Sequence, residues 1–301
     1  MPEPGLTRAG AKLALGTVQW GMRYGIAGRG QPGLAEVGAI LAAAGKAGVA
    51  MLDTAHAYGS AERVIGELHA PAASFDIVTK TLPVKSAAVD ETSAGEVAAA
   101  LEESLTRLRR ASVYAVLVHD AGNLLAPGAD RLWRVLERFR AGGKARRIGV
   151  SVYNPEQARA VAAAFPIEII QLPFNIYDQR FLASGVLAEL KGRGVEVHAR
   201  SAFLQGLLLM PPAGLPPHFA AIRARHAALH ALFAGNGAGA LAAALHFCLA
   251  QPSIDRVVVG CETAAQFGEI RDAAASPLPD VLYSDFAVDD VNILEPSRWP
   301  K

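Results

Sequence analysis

Cysteine is almost missing from this chain: 301 residues hold two, Cys248 and Cys261. Their neighbourhoods are apolar and no CxxC pair occurs, so buried, reduced thiols are expected, as in a cytoplasmic protein. An excess of charge of one sign is missing too. The 29 Lys and Arg side chains face 28 Asp and Glu, for a formal net charge of +1. That balance gives no reason to expect nucleic acid or an anionic membrane surface as a partner. Long apolar runs are cut by charge, Gly or Pro before they reach membrane-spanning length. Residues 1–16 contain no apolar stretch of signal-peptide length, so no leader is expected. Composition does not shift along the chain and no linker divides it.

What is present is a core-forming composition, 51% hydrophobic and rich in alanine, as in a soluble globular protein with closely packed helices. A chain of this length holds two ordinary domains or one α/β barrel. Short apolar segments recur at Lys12–Val18, Ala50–Asp53, Asp76–Lys80, Val113–His119, Arg147–Val152, Glu168–Leu172, Val195–Arg200 and Arg256–Val259. Each reads as a strand buried on both faces. Between them lie helical patterns at Leu34–Ala47, Ser60–His69, Ser93–Arg109, Asp130–Ala141, Pro155–Ala164, Leu182–Arg193, Phe219–Phe233, Ala238–Leu249 and Ala264–Ala274. Asn154-Pro155 reads as an N-cap with Pro at the first helical position, and Gly48, Gly142 and Gly194 stand where helices should stop. Eight strands alternating with helices argue for a single (β/α)8 barrel domain over residues 1–301. A doubly wound open sheet is the alternative on alternation alone. Two stretches break the rhythm, Ser201–Pro217 and an irregular tail from Ala275 to Lys301; loops this long are covers or surface padding.

Some patterns mislead. Gly28-Arg29-Gly30-Gln31-Pro32-Gly33 fits G-x-G-x-x-G with Asp53 twenty residues on. It does not follow directly on a strand, and Pro32 removes an N–H from any phosphate cradle, so a plain turn is the better reading. His226 and His230 have zinc-pair spacing without the Glu of HExxH or an evident third ligand. Lys144, Arg146 and Arg147 are explained by a helix C-terminus.

One constellation survives. Asp53, Lys80 and His119 each close a strand, and Tyr58 lies in the loop just after Asp53. In a barrel the C-terminal strand ends are where chemistry is built. A phenol with an ordinary pKa near ~10 is a weak acid, and an adjacent ammonium stabilises its phenolate. A carboxylate keeps that ammonium charged, and a neutral imidazole orients a carbonyl oxygen. Tyr58 can then protonate the developing alkoxide. Nothing in the set donates hydride, which implies a nicotinamide cofactor.

Gly16-Thr17, Asp53-Thr54-Ala55-x-x-Tyr58-Gly59, Lys80, His119, Ile148-Gly149-Val150-Ser151 and Gln171, in that order, resemble the aldo-keto reductase superfamily from about Leu13 to Glu269. The resemblance implies a (β/α)8 barrel with NADP(H) extended across its C-terminal rim. It implies Tyr58 as acid, Lys80 and Asp53 as its tuners and His119 as orienter. It places Ser151 and Gln171 on the nicotinamide carboxamide, with Gly16 and Thr17 nearby. It puts Arg200 against the nicotinamide, where many members have an aromatic ring, and Ser201, Phe203, Gln205 and Gly206 around the pyrophosphate. Gly260, Glu262, Gln266 and Glu269 fall at the adenosine end. Val152 stands where the family often has Asn, with Asn175 as a substitute. Glu262 stands where Lys or Arg commonly meets the 2′-phosphate, which weakens the preference for NADP and admits NAD.

The substrate is expected to be a small aldehyde, ketone or sugar, reduced or formed from the matching alcohol. It would lie among Trp20, Met22, Tyr24, His56, the loop Asp120–Leu125 and the tail, with His56 and Asp120 favouring hydroxyl groups. Two other classes compete: a nicotinamide-binding redox sensor with little turnover, and a lyase or isomerase using Lys80 as a Schiff base. The second is disfavoured because Asp53 should keep Lys80 protonated. No metal is expected, and no apolar stripe demands a protein partner.

Overall fold

Short strands too apolar to face water on either side need both faces covered, by helices on both sides of an open sheet or by helices outside a closed one whose strands fill its interior. The computed structural model, which describes residues 10–26, 30–235, 237, 239–276 and 281–300, solves this by closing the sheet. The strands are β1 (Leu13–Gly16), β2 (Met51–Asp53), β3 (Asp76–Lys80), β4 (Val113–Val118), β5 (Ala145–Ser151), β6 (Ile169–Pro173), β7 (Glu196–Arg200) and β8 (Arg256–Gly260). Each pairs parallel with the next, and β8 pairs with β1 through Gly16 opposite Gly260. The result is the eight-stranded barrel expected from the alternation, not the open sheet.

Around it lie α1 (Leu34–Lys46), α2 (Ala61–Glu67), α3 (Glu91–Leu108), α4 (Ala129–Ala141), α5 (Pro155–Ala164), α6 (Val186–Gly192), α7 (Arg223–Gly235), α8 (Ala240–Leu249) and α9 (Ala264–Ala275). Their apolar stripes, such as Val37, Ile40 and Leu41 of α1, pack on outward strand residues such as Leu15 and Val116. The barrel interior is filled by smaller side chains, including Ala14, Val78, Ala115 and Ile169. Asn154 caps α5 as expected, its Oδ1 accepting from the Gln157 N–H at 2.8 Å ahead of Pro155.

Helix boundaries differ from the sequence reading where the backbone turns. The pattern at 182–193 is broken by Gly185 at φ 78°, so α6 starts at Val186. The pattern at 219–233 opens as a 3₁₀ segment, Pro217–Ile222, with Phe219 off helical geometry, before α7 begins. Ala238, the expected start of α8, and Gly28 and Arg29 of the glycine-rich turn lie outside the described residues, as do 277–280 and 301 of the tail. Both cysteines are buried free thiols. No single described helix is long and apolar enough to cross a membrane.

A second apolar cluster sits beside the barrel. It joins Ile176 and Tyr177, the 3₁₀ segment Leu204–Leu209 after β7, Leu229 and Phe233 of α7, and Val288, Ile293 and Leu294 of the tail. The tail is tied there by the Val288 N–H to the Tyr177 carbonyl at 2.9 Å and by Gln179 Nε2 to the Tyr283 carbonyl at 2.7 Å. His226 in α7 belongs to this scaffold, with Nδ1 on the Tyr177 hydroxyl at 2.6 Å and Nε2 on the Met210 carbonyl at 2.8 Å. Both nitrogens are thus used by the fold. The basic residues after α4 pair individually, Lys144 with Glu102 at 2.6 Å and Arg147 with Glu196 at 3.2 Å, rather than serving a helix end as a group.

Candidate active site

β2 and β3 are neighbours, and their last residues, Asp53 and Lys80, turn inward at the same rim. Lys80 is only 1% exposed. Its Nζ donates to Asp53 Oδ1 at 2.7 Å and to the Thr54 carbonyl at 2.9 Å. The other carboxylate oxygen, Asp53 Oδ2, accepts from Gln171 Nε2 of β6 at 2.7 Å. Burial works against the ammonium, but the Asp53 charge and the adjoining Tyr58 outweigh it and hold the Lys80 pKa above its ordinary value. Lys80 Nζ lies 4.9 Å from the centre of the Tyr58 ring.

His119 follows directly on β4, and its ring meets Tyr58 edge-on with centroids 5.7 Å apart and planes at 82°. Burial, then the Lys80 charge, pushes its pKa down to about 4. The imidazole is therefore neutral at neutral pH, a donor from one nitrogen only. The four residues read from strand ends thus form one contiguous cluster.

Tyr58 is held by a close backbone approach. Gly59 has φ 56°, and a Cβ there would lie 2.3 Å from the Gly21 carbonyl oxygen. A Cβ on Gly21 would in turn lie 1.8 Å from the Tyr58 carbonyl oxygen. The Ser60 N–H donates to that Gly21 carbonyl at 3.2 Å. A side chain at either position would push the loop carrying Tyr58 off the rim.

A cavity of about 450 Å³ opens beside the cluster, within the range of small-molecule sites. It reaches from Asp53, Tyr58 and Gln171 to Glu262, Gln266 and Glu269 after β8. Gly16, Thr17, Arg200, Ser201, Phe203, Gln205, Gly206 and Gly260 also line it. Ser151 does not: it closes β5 as a buried residue paired in register with Gln171. Nor does Asn175, whose amide is spent on the Ser201 carbonyl at 3.1 Å and on the N–H groups of Tyr177 and Asp178. Arg200 lies over the Tyr153 ring at 4.4 Å and donates to the Val152 carbonyl at 3.1 Å.

The loops after β1 and β7 meet across the cavity, the Ile26 N–H donating to the Gln205 carbonyl at 3.1 Å. Ser201, Leu204 and Gln205 adopt left-handed backbone at φ 61°, 46° and 52°, a sparsely populated region for such residues.

The expected substrate wall is largely displaced. Tyr24 lines the cavity, and burial, then the neighbouring Tyr58, raises its pKa to about 12, so it stays a phenol. Trp20 is 0% exposed and donates from its indole to the Cys261 carbonyl at 3.2 Å; it is packing, not wall. His56 turns outward to α3, with Nδ1 3.2 Å from Ser104 Oγ. Asp120 is exposed and spends Oδ1 on the Gly122 N–H at 2.8 Å. No described tail residue lines the cavity, because the tail packs on the second apolar cluster. With His56 and Asp120 outside, the reason to favour a hydroxylated substrate is gone. Gln19 is a lining residue that sequence reasoning passed over; its side chain packs against Gly260 across the β1–β8 pair and leaves no room for a Cβ there.

A family model described as the aldo/keto reductase family matches residues 12–287. Aldo-keto reductase YhdN of Bacillus subtilis (strain 168) is 27% identical over 168 residues, 54% of this chain and 50% of that protein. The match therefore spans about half the length of this curated relative. Among solved structures, aldo-keto reductase AKR11C1 from Bacillus halodurans (holo form) superposes with a TM-score of 0.72 at 20% identity, covering 89% of this chain and 88% of that one. The glycerol dehydrogenase AKR11B4 from Gluconobacter oxydans gives 0.68 at 23% identity, with the same coverage of each chain. At these identities the structural likeness is one of fold.

Proposed function

The chain belongs to the aldo/keto reductase family, oxidoreductases that act on carbonyl compounds, and from that premise we propose that it is a nicotinamide-dependent reductase of a small aldehyde or ketone with Tyr58 as general acid. The reading rests on the buried Lys80–Asp53 pair set against Tyr58, with a neutral His119 beside it. When bound, the cofactor supplies the hydride that no side chain here can give.

The residues present suit such a group. Gln171 lines the cavity, gives its Nε2 to Asp53 and carries an Oε1 without a hydrogen-bond partner, an acceptor for a carboxamide N–H. His119 offers a donor to orient the carbonyl oxygen. Tyr58 passes its hydroxyl proton to the developing alkoxide, and the Lys80 ammonium stabilises the phenolate left behind. Asp53, bonded on both oxygens, keeps that ammonium charged and fixed, which removes the neutral amine a Schiff base needs.

The test is a carbonyl panel run with NADH and NADPH on wild type and Tyr58→Phe. Oxidation of a dinucleotide by wild type, lost in the variant, supports the reading. If neither dinucleotide is oxidised or quenches protein fluorescence, it fails. Single-turnover hydride transfer separates an enzyme from a sensor that only binds.

A further inference from the structure

The barrel wall behind Tyr58 and Lys80 holds a buried carboxylate that the chemistry above does not use. Glu62 is 1% exposed and stands in the first turn of α2, just after the loop that carries Tyr58. Its Oε1 accepts from the Thr79 hydroxyl at 2.7 Å, and its Oε2 has no hydrogen-bond partner. Thr79 is also buried and immediately precedes Lys80 in β3. Side chains alternate across a strand, so Lys80 turns to the rim cluster and Thr79 to the helices. Neither Glu62 nor Thr79 lines the cavity. The Glu62 charge is faced by Arg107 of α3, whose Nη1 lies 3.7 Å from Oε2 and 3.5 Å from His56 Nδ1, on the other side of Tyr58 in the same loop. α2 is seated against α3 at Gly66, where a Cβ would lie 1.9 Å from the Arg107 carbonyl oxygen.

A buried carboxylate with one oxygen unbonded is a costly way to join a helix to a strand. The same helix buries Val64 and Ile65 in the apolar core at no such cost. Apolar contact is non-directional and tolerates sliding, whereas an O–H···O bond fixes a distance and an angle. Here the bond closes a short circuit. The Tyr58 carbonyl accepts from the Ala61 N–H at 3.0 Å, Ala61 is followed by Glu62, Glu62 holds Thr79, and Thr79 is followed by Lys80. The circuit returns to its start where Lys80 Nζ lies 4.9 Å from the centre of the Tyr58 ring. We propose that Glu62 is a positioning residue that, through Thr79, fixes the separation between the Tyr58 phenol and the Lys80 ammonium. The inference rests on the reductase reading above, in which that separation sets how well the phenolate is stabilised. Loosening it slows the proton step and leaves the dinucleotide cavity intact.

The test separates position from stability. Thr79→Val combined with Glu62→Leu replaces the bond by an apolar contact of similar shape, an exchange close to neutral in stability. Arg107 keeps Glu103, bonded at 2.6 Å and 3.0 Å. Thermal unfolding, dinucleotide titration of tryptophan fluorescence, and single-turnover hydride transfer in light and heavy water are measured on this double variant, on Thr79→Val and on Glu62→Gln. The double variant should fold, bind dinucleotide as wild type does and lose roughly tenfold or more in kcat, by the usual cost of a misplaced reacting group. Its solvent isotope effect should rise, because proton transfer from Tyr58 becomes the slow event. Glu62→Gln keeps an acceptor for the Thr79 hydroxyl and should keep kcat close to wild type. Wild-type kcat in the folded double variant, a loss of kcat with an unchanged isotope effect, or Glu62→Gln as slow as the double variant overturns the proposal. If the double variant does not fold, Thr79→Val, read per folded molecule, carries the same expectation and the same refutation. The reductase reading survives any of these while wild type oxidises a dinucleotide and Tyr58→Phe does not; if wild type itself fails, both fall.

Discussion

The barrel carries two clusters that each combine an acid, a cation, a phenol and an imidazole, one at each end. At the C-terminal rim stand Asp53, Lys80, Tyr58 and His119. At the floor, on the N-terminal parts of β4, β5 and β7, stand Glu196, Arg147, Tyr114 and His198. The floor is at least as well bonded: Tyr114 donates to Glu196 Oε2 at 2.5 Å, His198 Nε2 lies 2.8 Å from Glu196 Oε1, and Arg147 Nε lies 3.2 Å from Glu196 Oε2. The difference lies in which partner the phenol has. Tyr114 is held by a carboxylate, and burial with that bond pushes its pKa up to about 12. Tyr58 is held by an ammonium. Only the rim cluster adjoins the cavity. Residue type alone therefore does not make a site; the sign of the neighbour and access to a ligand do.

The sharpest way to break this comparison is to remove the cation at the rim. Lys80→Met leaves the nearly buried Asp53 carboxylate without its ion pair, a loss of about 3–5 kcal/mol in stability by the usual cost of half a buried pair. It also removes the charge that stabilises the phenolate, so kcat should fall to background. Urea unfolding and carbonyl turnover read the two effects separately. Tyr58→Phe isolates the second effect. It deletes one hydroxyl and should lower kcat by a factor of roughly 10² to 10⁴ with dinucleotide affinity kept. A phenylalanine variant that still turns over at the wild-type rate would remove Tyr58 from the chemistry.

The rim was legible in the sequence because its residues sit at strand ends, and short buried strands are the easiest signal a barrel emits. Asp53, Lys80 and His119 needed only the strand boundaries, and Tyr58 only its spacing from Asp53. The floor was not legible. Arg147 read as part of a helix-end cluster, and Glu196 and His198 read as ordinary strand residues, because Glu196 joins His198 on its own strand to Tyr114 and Arg147 on strands far away in sequence. The same limit explains Trp20, His56 and Asp120. Each lies in a loop after a strand, but the direction of its side chain is set by packing, against Cys261, α3 and a local turn respectively. Loop position was visible and orientation was not.

The floor predicts the opposite phenotype from the rim. Glu196→Gln removes the charge that Arg147 and His198 face and should cost about 1–3 kcal/mol, the range for disturbing a buried hydrogen-bonded group. Turnover per folded molecule should be unchanged, since no floor residue lines the cavity. A large loss of kcat in a folded Glu196→Gln protein would show that the two ends are coupled through the barrel interior.

The smallest effect, and the finest discrimination, comes from pH. At the rim, His119 must stay neutral to serve as a single-proton donor, and its pKa lies at about 4 instead of the ordinary 6.5. The acid limb of kcat/KM should therefore fall near pH 4, with a flat profile through 6.5. At the floor, burial opposes the Glu196 charge, but the bonds from His198 and Tyr114 outweigh it and hold the carboxyl at about 2 against an ordinary 4.5. A depressed carboxyl contributes stability above its unfolded pKa and loses it as pH falls through the folded one. The difference in Tm between wild type and Glu196→Gln should thus be full above pH 4.5 and close as pH drops toward 2. Comparing each variant with wild type at one pH cancels the stability that His119 itself loses below 6.5, because both proteins carry it. An activity limb at 6.5 would mean that His119 is not the buried neutral imidazole of this structure. A Tm difference that does not change with pH would mean that Glu196 is held by shape and not by charge.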